Sequence, residues 1–382
     1  MRALVYSRKP VRYAAAAVAG RLVPGRGAAY GPLALKDIHR PDLPGPGWVR
    51  LRPRLSGICG SDLATIDGHA SRYFEPIVSF PFVPGHEVVG DLDDGTRVAL
   101  VPVLACAARG IEPPCPQCAG GRINRCERIA FGAIEPGLQS GFCADTGGGW
   151  STSMVAHESQ LVPVPDALTD EEAVLIEPAA CAVHAVRQSP GGDAAIIGAG
   201  ALGLLTLAAL RHLHPDAEVL ITARHQEQRR VAESLGADRV VEPDTLGRTV
   251  RRATGSMLAG GQLTGGAAVV FDCVGTDDSI TQALSVIGPG GTVLVVGMPA
   301  TVTVNLTSLW HREAALRGCY AYERADFDTA IELVHSADLG RLVTATYPIA
   351  RYEEAIGHAA QAGSRGAVRI AFDLRQEKER NR

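Results

Sequence analysis

Apolar residues in the first 165 positions come in short runs broken by Gly and Pro, a pattern that predicts brief strands and turns. Arg2-Ala-Leu-Val-Tyr6 reads as a first strand and Thr96-Arg-Val-Ala-Leu-Val-Pro102 as a buried one. From Thr169 the texture changes: 171–187 reads as a helix, 194–197 as a buried strand and 201–212 as an apolar helix. Strand and helix then alternate through 218–223, 226–235, 267–273 and 292–297. Such alternation predicts a doubly wound parallel sheet, because parallel strands need helical crossovers. After Gly318 the pattern gives a helix over 327–335, a strand over 343–349, a helix near Glu353 and a last strand over 367–374, with a charged tail from Arg375 expected to fray.

The expected organisation is two domains: 1–165 plus 325–382, β-rich and partly open, and 166–324 between them. A chain of 382 residues is too long for one ordinary core, which fits this division. Net charge is only −4 with both signs interspersed, which argues against nucleic acid and anionic membrane as partners and leaves small molecules. The basic start (Arg8, Lys9, Arg12) and the run Ala14 to Ala19 superficially imitate an export signal. That run is shorter and richer in alanine than a signal core, and no stretch approaches the roughly eighteen apolar residues of a membrane span. A cytoplasmic protein is therefore expected, its nine cysteines reduced and available as metal ligands or buried apolar groups.

Gly198-Ala-Gly200-Ala-Leu-Gly203 lies directly after a predicted strand and opens a predicted helix, the context that gives a glycine fingerprint its meaning. Gly198 permits the tight turn, Gly200 lets backbone approach a pyrophosphate, and Gly203 lets helix and strand pack closely, with the helix N-terminus facing the anion. This predicts a Rossmann-type dinucleotide site.

Cys59 stands in Gly57-Ile-Cys59-Gly-Ser61-Asp62 and His86 in Pro84-Gly85-His86-Glu87, both in the β-rich half. With the downstream fingerprint and Gly290-Gly291-Thr-Val-Leu-Val-Val-Gly297, these segments resemble the medium-chain dehydrogenase/reductase superfamily over nearly the whole chain, and within it the zinc-containing polyol and threonine dehydrogenase-like branch. The resemblance implies a GroES-like catalytic domain beside the Rossmann domain, with the active site in a cleft. It implies that Cys59 and His86 bind a catalytic zinc, with Glu177 of Glu177-Pro178-Ala-Ala as third ligand or water-bridged carboxylate and Glu87 as the other acid next to the metal. One thiolate and one carboxylate neutralise a dication while leaving a position open for water or alcohol. Ser61 matches the family's proton-accepting hydroxyl and Asp62 the carboxylate that orients the ligating histidine. Some alcohol dehydrogenases carry a relay histidine five residues after the cysteine; Ala64 stands there, and His69 is left unassigned. The resemblance further implies a homodimer or homotetramer.

Cys106, Cys115, Cys118 and Cys126 form a second set, the last three spaced C-x2-C-x7-C like the family's structural-zinc lobe. Four thiolates would close such a site and leave no chemistry. Eight residues separate Cys106 from Cys115 where the family has two. Either a loop over 107–114 bulges while Cys106 still binds, the favoured reading, or the site is altered or empty. Cys143, Cys181, Cys273 and Cys319 read as buried thiols.

For the coenzyme, an acid is expected at the end of the second strand of an NAD enzyme, but Ala223 is followed by Arg224. Arg224, helped by Arg229 or Arg230, is placed to pair with a 2′-phosphate, which favours NADP over NAD. The expected reaction is hydride exchange between a secondary alcohol or polyol and the nicotinamide: zinc lowers the pKa of the alcohol, Ser61 takes its proton, and the alkoxide delivers hydride. Two alternatives stay open, a zinc-independent NADPH quinone or enoyl reductase of the same superfamily and a catalytically silent dinucleotide-binding protein. The substrate's identity is not legible, although 68–82 and a long N-terminal stretch around 14–31 are candidates to shape its pocket.

Overall fold

Short apolar runs separated by turn residues form the strands of the first half; the computed structural model describes residues 1–298 and 301–375. Strand β1 (Arg2–Tyr6) pairs antiparallel with β2 (Leu33–Asp37), and between them lie helices α1 (Pro10–Leu22) and α2 (Gly27–Tyr30). The alanine run is thus helical. Pro10 at the first helical position presets its dihedral and costs no hydrogen bond. Next come β3 (Trp48–Gly57) and α3 (Gly60–Ile66). Asp67, at the end of α3, accepts bonds from Gly25 N at 2.7 Å and Gly27 N at 2.9 Å, which fastens the N-terminal helices to it.

Strands β4 (Val88–Leu92), β5 (Arg97–Leu100), β6 (Met154–His157) and β7 (Leu161–Pro163) build a sheet around β3, interrupted by the short helix α4 (Pro116–Ala119). Leu51, Val88, Val98, Leu100, Met154 and Ala156 close its core. The helix expected over 171–187 is two: α5 (Asp170–Ala173) and α6 (Ile176–Arg187). Pro178 lacks an N–H and would strike the carbonyl four residues back, so it fits only in the first turn of a new helix.

The second compact unit, Pro178–Ala321 with Gly366–Val368, contains the alternating half of the chain. Its elements are β8 (Ala194–Ile197), α7 (Ala201–Leu213), β9 (Val219–Thr222), α8 (Gln226–Ser234), β10 (Arg239–Val241), α9 (Leu246–Ala253), the hairpin β11 (Leu258–Ala259) and β12 (Gln262–Leu263), β13 (Ala267–Asp272), α10 (Asp277–Val286), β14 (Ile287–Val295), α11 (Thr307–His311) and β15 (Ala315–Gly318). The six-stranded sheet runs β10-β9-β8-β13-β14-β15, with every neighbouring pair parallel. The chain leaves β8 toward one edge and returns to β13 on its other side. That switch point is where an open α/β sheet binds ligands, beyond the carboxyl ends of the strands.

The chain then adds α12 (Asp326–Ser336), β16 (Val343–Pro348), α13 (Tyr352–Ala360) and β17 (Arg369–Asp373) to the first unit, which comprises Met1–Glu177, Tyr322–Arg365 and the chain from Arg369. Strand β17 pairs antiparallel with β3. The charged tail expected to fray lies, beyond Arg375, outside the described residues. Among the described residues no helix is long and apolar enough to cross a membrane.

One charge cluster ties these segments together. Asp170, at the start of α5, takes bonds from Arg54 Nε (2.9 Å), Arg97 (3.2 Å) and Arg375 (3.2 Å), with its own side chain only 4% exposed. Removing the carboxylate leaves three guanidinium groups facing one another. Asp170→Ala is expected to cost about 2 kcal/mol, since it removes charge-assisted bonds from three guanidinium groups of which Arg54 keeps Asp91 and Arg375 keeps Asp373; an unchanged denaturant midpoint would show instead that water screens the cluster.

Candidate functional site

Helix α3 starts where β3 ends, and its first residues carry the chemistry. Cys59 is the N-cap, and its N–H donates to Asp62 Oδ2 at 3.0 Å. The other oxygen of Asp62 faces His86 Nδ1 at 3.5 Å, so one carboxylate both caps the helix and orients the imidazole. Ligand atoms of Cys59, His86 and Glu87 all lie within 4.8 Å of one another, and His86 and Glu87 are buried. Two glycines permit this crowding. A Cβ at Gly57 would lie 2.0 Å from the Glu87 carboxylate, and one at Gly85, where φ is +95°, would lie 2.3 Å from the Trp150 ring.

The electrostatics suit a cation. Burial disfavours the Cys59 thiolate, but the hydrogen bond and charge of His86, with Arg369 beside them, pull its pKa down to about 6. Burial likewise opposes charge on His86, yet Asp62 and Cys59 raise its proton affinity well above the ordinary value. Glu177, in the first turn of α6, is pushed up to about 7 by burial and by the Cys59 and Asp62 charges, against the pull of His86 and Tyr322. A thiolate, an imidazole and a carboxylate whose ligand atoms converge are a donor set that fits zinc, and Glu177 is near enough to feel the charges of His86 and Cys59.

The second cysteine set converges too. Ligand atoms of Cys106, Cys115, Cys118 and Cys126 lie within 4.8 Å of one another, with Cys106 Sγ 3.7 Å from Cys126 Sγ. The long gap between Cys106 and Cys115 is taken up by a turn whose anchor is Arg109, fully buried. Its guanidinium donates to the carbonyls of Leu104 (2.9 Å), Phe131 (3.0 Å), Ile134 (3.2 Å), Glu135 (3.4 Å) and Gly137 (2.7 Å). Cys106 therefore reaches the cluster despite the insertion. No cysteine lies in a disulfide; Cys143 is buried as expected, whereas Cys181, Cys273 and Cys319 are only half-buried.

In the other unit, Gly198 follows β8 with φ at +96°, a conformation that favours glycine, and its N–H donates to Thr222 Oγ1 at 2.9 Å. Gly200 caps α7, and a Cβ there would meet nothing within 4 Å, so the approach to the helix N-terminus is open. At Gly203 a Cβ would lie 1.8 Å from Gly198 O, which leaves glycine as the residue that fits. An open helix end behind a tight turn fits a pyrophosphate.

Residues 201–336 match the family model described as zinc-binding dehydrogenase, and residues 45–166 the alcohol dehydrogenase GroES-like domain. The chain is 30% identical over 324 residues to a 2-dehydro-3-deoxy-L-galactonate 5-dehydrogenase of Pseudoalteromonas atlantica, covering 80% of this chain and 86% of that one. The chain belongs to the zinc-type medium-chain dehydrogenase/reductase superfamily. An L-idonate 5-dehydrogenase of Vitis vinifera is 29% identical, covering 86% of this chain and 89% of that one. A solved candidate zinc-binding dehydrogenase of Sinorhizobium meliloti, bound to NADP, superposes with TM-score 0.71 at 25% identity, over 89% of this chain and 96% of that one. This medium-chain dehydrogenase is accordingly a zinc-dependent oxidoreductase that exchanges a hydride between an alcohol and a nicotinamide dinucleotide.

Around the coenzyme-recognition strand of this dehydrogenase the arginines divide. Ala223 is buried; Arg224 is exposed and, among the described residues, makes no ion pair or side-chain hydrogen bond. Arg229 is committed to Glu242 (2.6 Å) and to backbone carbonyls, and Arg230 to Glu227 (2.6 Å), so neither stands free beside Arg224. Ser61 is half-buried in the first turn of α3, Ala64 lies one turn further on, and His69 is exposed.

Two site residues escape the sequence reading. Arg369, on β17, is ion-paired with Glu87 and lies beside Cys59 and Asp62. The signal available was a charge inside the apolar strand Val368-Arg369-Ile370-Ala371-Phe372, a break in pattern that a strand tolerates only with a partner. Tyr322, fully buried and edge-on to Phe327 at 4.7 Å, lies beside Glu177 and favours its charged form. It had no local signal, because its partner is far away in sequence.

Proposed function

We propose that Cys59, His86 and Glu177 hold the catalytic zinc of an NADP-preferring dehydrogenase of secondary alcohols or polyols. The convergence of Cys59, His86 and Glu87 beside Asp62 carries this reading, and Glu177 joins it as the acid that feels the charges of His86 and Cys59 while Glu87 is taken by Arg369. Zinc held there supplies a Lewis acid that acidifies the alcohol and polarises the carbonyl in reverse. Asp62 fixes the ring of His86, and Arg369 holds Glu87 as a counter-charged neighbour. Ser61, half-buried in the first turn of α3, takes the alcohol proton and passes it to solvent, since Ala64 offers no group to continue a relay. The polyol class is supported by relatives named for sugar-acid oxidation. A second zinc on Cys106, Cys115, Cys118 and Cys126 is structural in this reading, and the assembly a homodimer or homotetramer in the cytoplasm. The free thiols agree with a reducing compartment.

The coenzyme preference rests on the free guanidinium of Arg224 and the missing acid at position 223. A charge-assisted contact to a 2′-phosphate contributes on the order of 1.5 to 3 kcal/mol, roughly one to two decades in affinity. Initial rates with an alcohol and polyol panel at limiting coenzyme should therefore favour NADP. Replacing Ala223 with Asp and Arg224 with Ser should reverse the preference, since Asp repels the phosphate and accepts from the ribose hydroxyls of NAD. Faster turnover with NAD in the unmodified enzyme would overturn the assignment.

A further inference from the structure

The glycine turn occupies the carboxyl end of the parallel sheet, and a separate concavity opens at the other end. The hairpin β11–β12 leads into the first residue of β13, and Arg312 ties the hairpin to the first residue of β14 by donating to the carbonyls of Leu263, Gly265 and Ile287. Because β8 and β13 are parallel and in register from Ala194 and Val269, this end of the sheet is the one opposite Gly198. The hairpin, α9, α10 and α11 line an open cleft of about 570 Å³ there, within the range of small-molecule sites.

Its lining is one-sided in charge. Arg248, Arg251, His311 and Arg312 are its titratable side chains, in a chain whose net charge is −4. Arg312 is spent on the wall. Arg248 and Arg251, three apart on α9 and so on one face, make no ion pair or side-chain hydrogen bond among the described residues. Elsewhere in the same unit Arg211, Arg229, Arg230 and Arg239 each hold an acid. Arg248 is exposed and Arg251 half-buried, and two like charges lining one concavity favour an anion between them. Hydroxyls of Thr281 and Ser285 on α10 add neutral hydrogen-bonding groups, and Leu284 adds an apolar surface.

We propose that this cavity binds a small phosphorylated metabolite, its phosphoryl group held between Arg248 and Arg251, independently of the coenzyme. Calorimetric titration of the zinc-loaded enzyme saturated with NADPH tests it, with AMP and inorganic phosphate as probes. The expected result is saturable binding of AMP, one per chain, tighter than that of phosphate. Changing both Arg248 and Arg251 to Ala should weaken AMP binding at least about tenfold, while the KM for NADP and the thermal midpoint stay unchanged because neither residue supports the fold by a bond. Changing both to Lys should keep most of the affinity. Absence of saturable binding up to about 10 mM, binding that survives the double alanine change, or phosphate binding as tight as AMP would each overturn the proposal.

Discussion

Replacing Cys59 or His86 with Ala is expected to lower kcat/KM by roughly three decades or more and leave a folded chain with one zinc ion of two. A metal that acidifies the alcohol oxygen contributes several kcal/mol to the barrier, and each 1.4 kcal/mol is about a decade in rate. The fold should survive because β3, β4 and β17 are joined by ladder bonds and by the buried Arg369–Glu87 pair, none of which needs the metal. Glu177→Gln should act in the same direction but more weakly, since it removes a negative charge at nearly constant volume. Zinc analysis, circular dichroism and initial rates together check this. A Cys59→Ala enzyme that retains both zinc ions and near-normal turnover would remove Cys59 from the site.

Cys118→Ser should have the opposite profile: a loss of stability with the catalytic centre intact. A closed four-thiolate site couples metal affinity directly to folding, and losing one thiolate forfeits on the order of several kcal/mol of local stability. The consequence should stay local. Arg109, donating to five backbone carbonyls, holds the base of the lobe without metal. Amide hydrogen exchange should therefore quicken around 115–126 while the amides of the segments that Arg109 ties together, around 104 and 131–137, keep slower exchange. One zinc ion per chain in the unmodified protein, with no change on replacing Cys118, would refute the second metal site.

Much of the fold was written in local pattern. The alternation of apolar strands and amphipathic helices from 194 onward specifies a parallel doubly wound sheet, because periodicity and crossover length are properties of short segments. The glycine fingerprint was legible for the same reason: Gly198, Gly200 and Gly203 act within six residues of each other. The helical character of 14–31 was less legible, since an alanine run is compatible with several contexts and only its clasp to Asp67 fixes it. The split between α5 and α6 was readable in principle from Pro178 but was overridden by the continuous apolar pattern around it.

Fold class, the glycine turn and the residue types able to hold a metal follow from the order of side chains within a few turns or strands. Which of those residues meet is settled by packing between distant segments. Cys59, His86 and Glu87 come together because β3 pairs with β4 across a register shift between Pro53 and Leu55 and α3 caps on Asp62, and Cys106 reaches Cys115 across eight residues because Arg109 folds the intervening loop. Arg369 reaches Glu87 through the pairing of β17 with β3, and Tyr322 lies beside Glu177, both contacts between residues far apart in the chain. Such contacts leave no periodic trace in a single sequence, since a buried charge is stabilised by whichever partner the packing delivers and not by its neighbours along the chain.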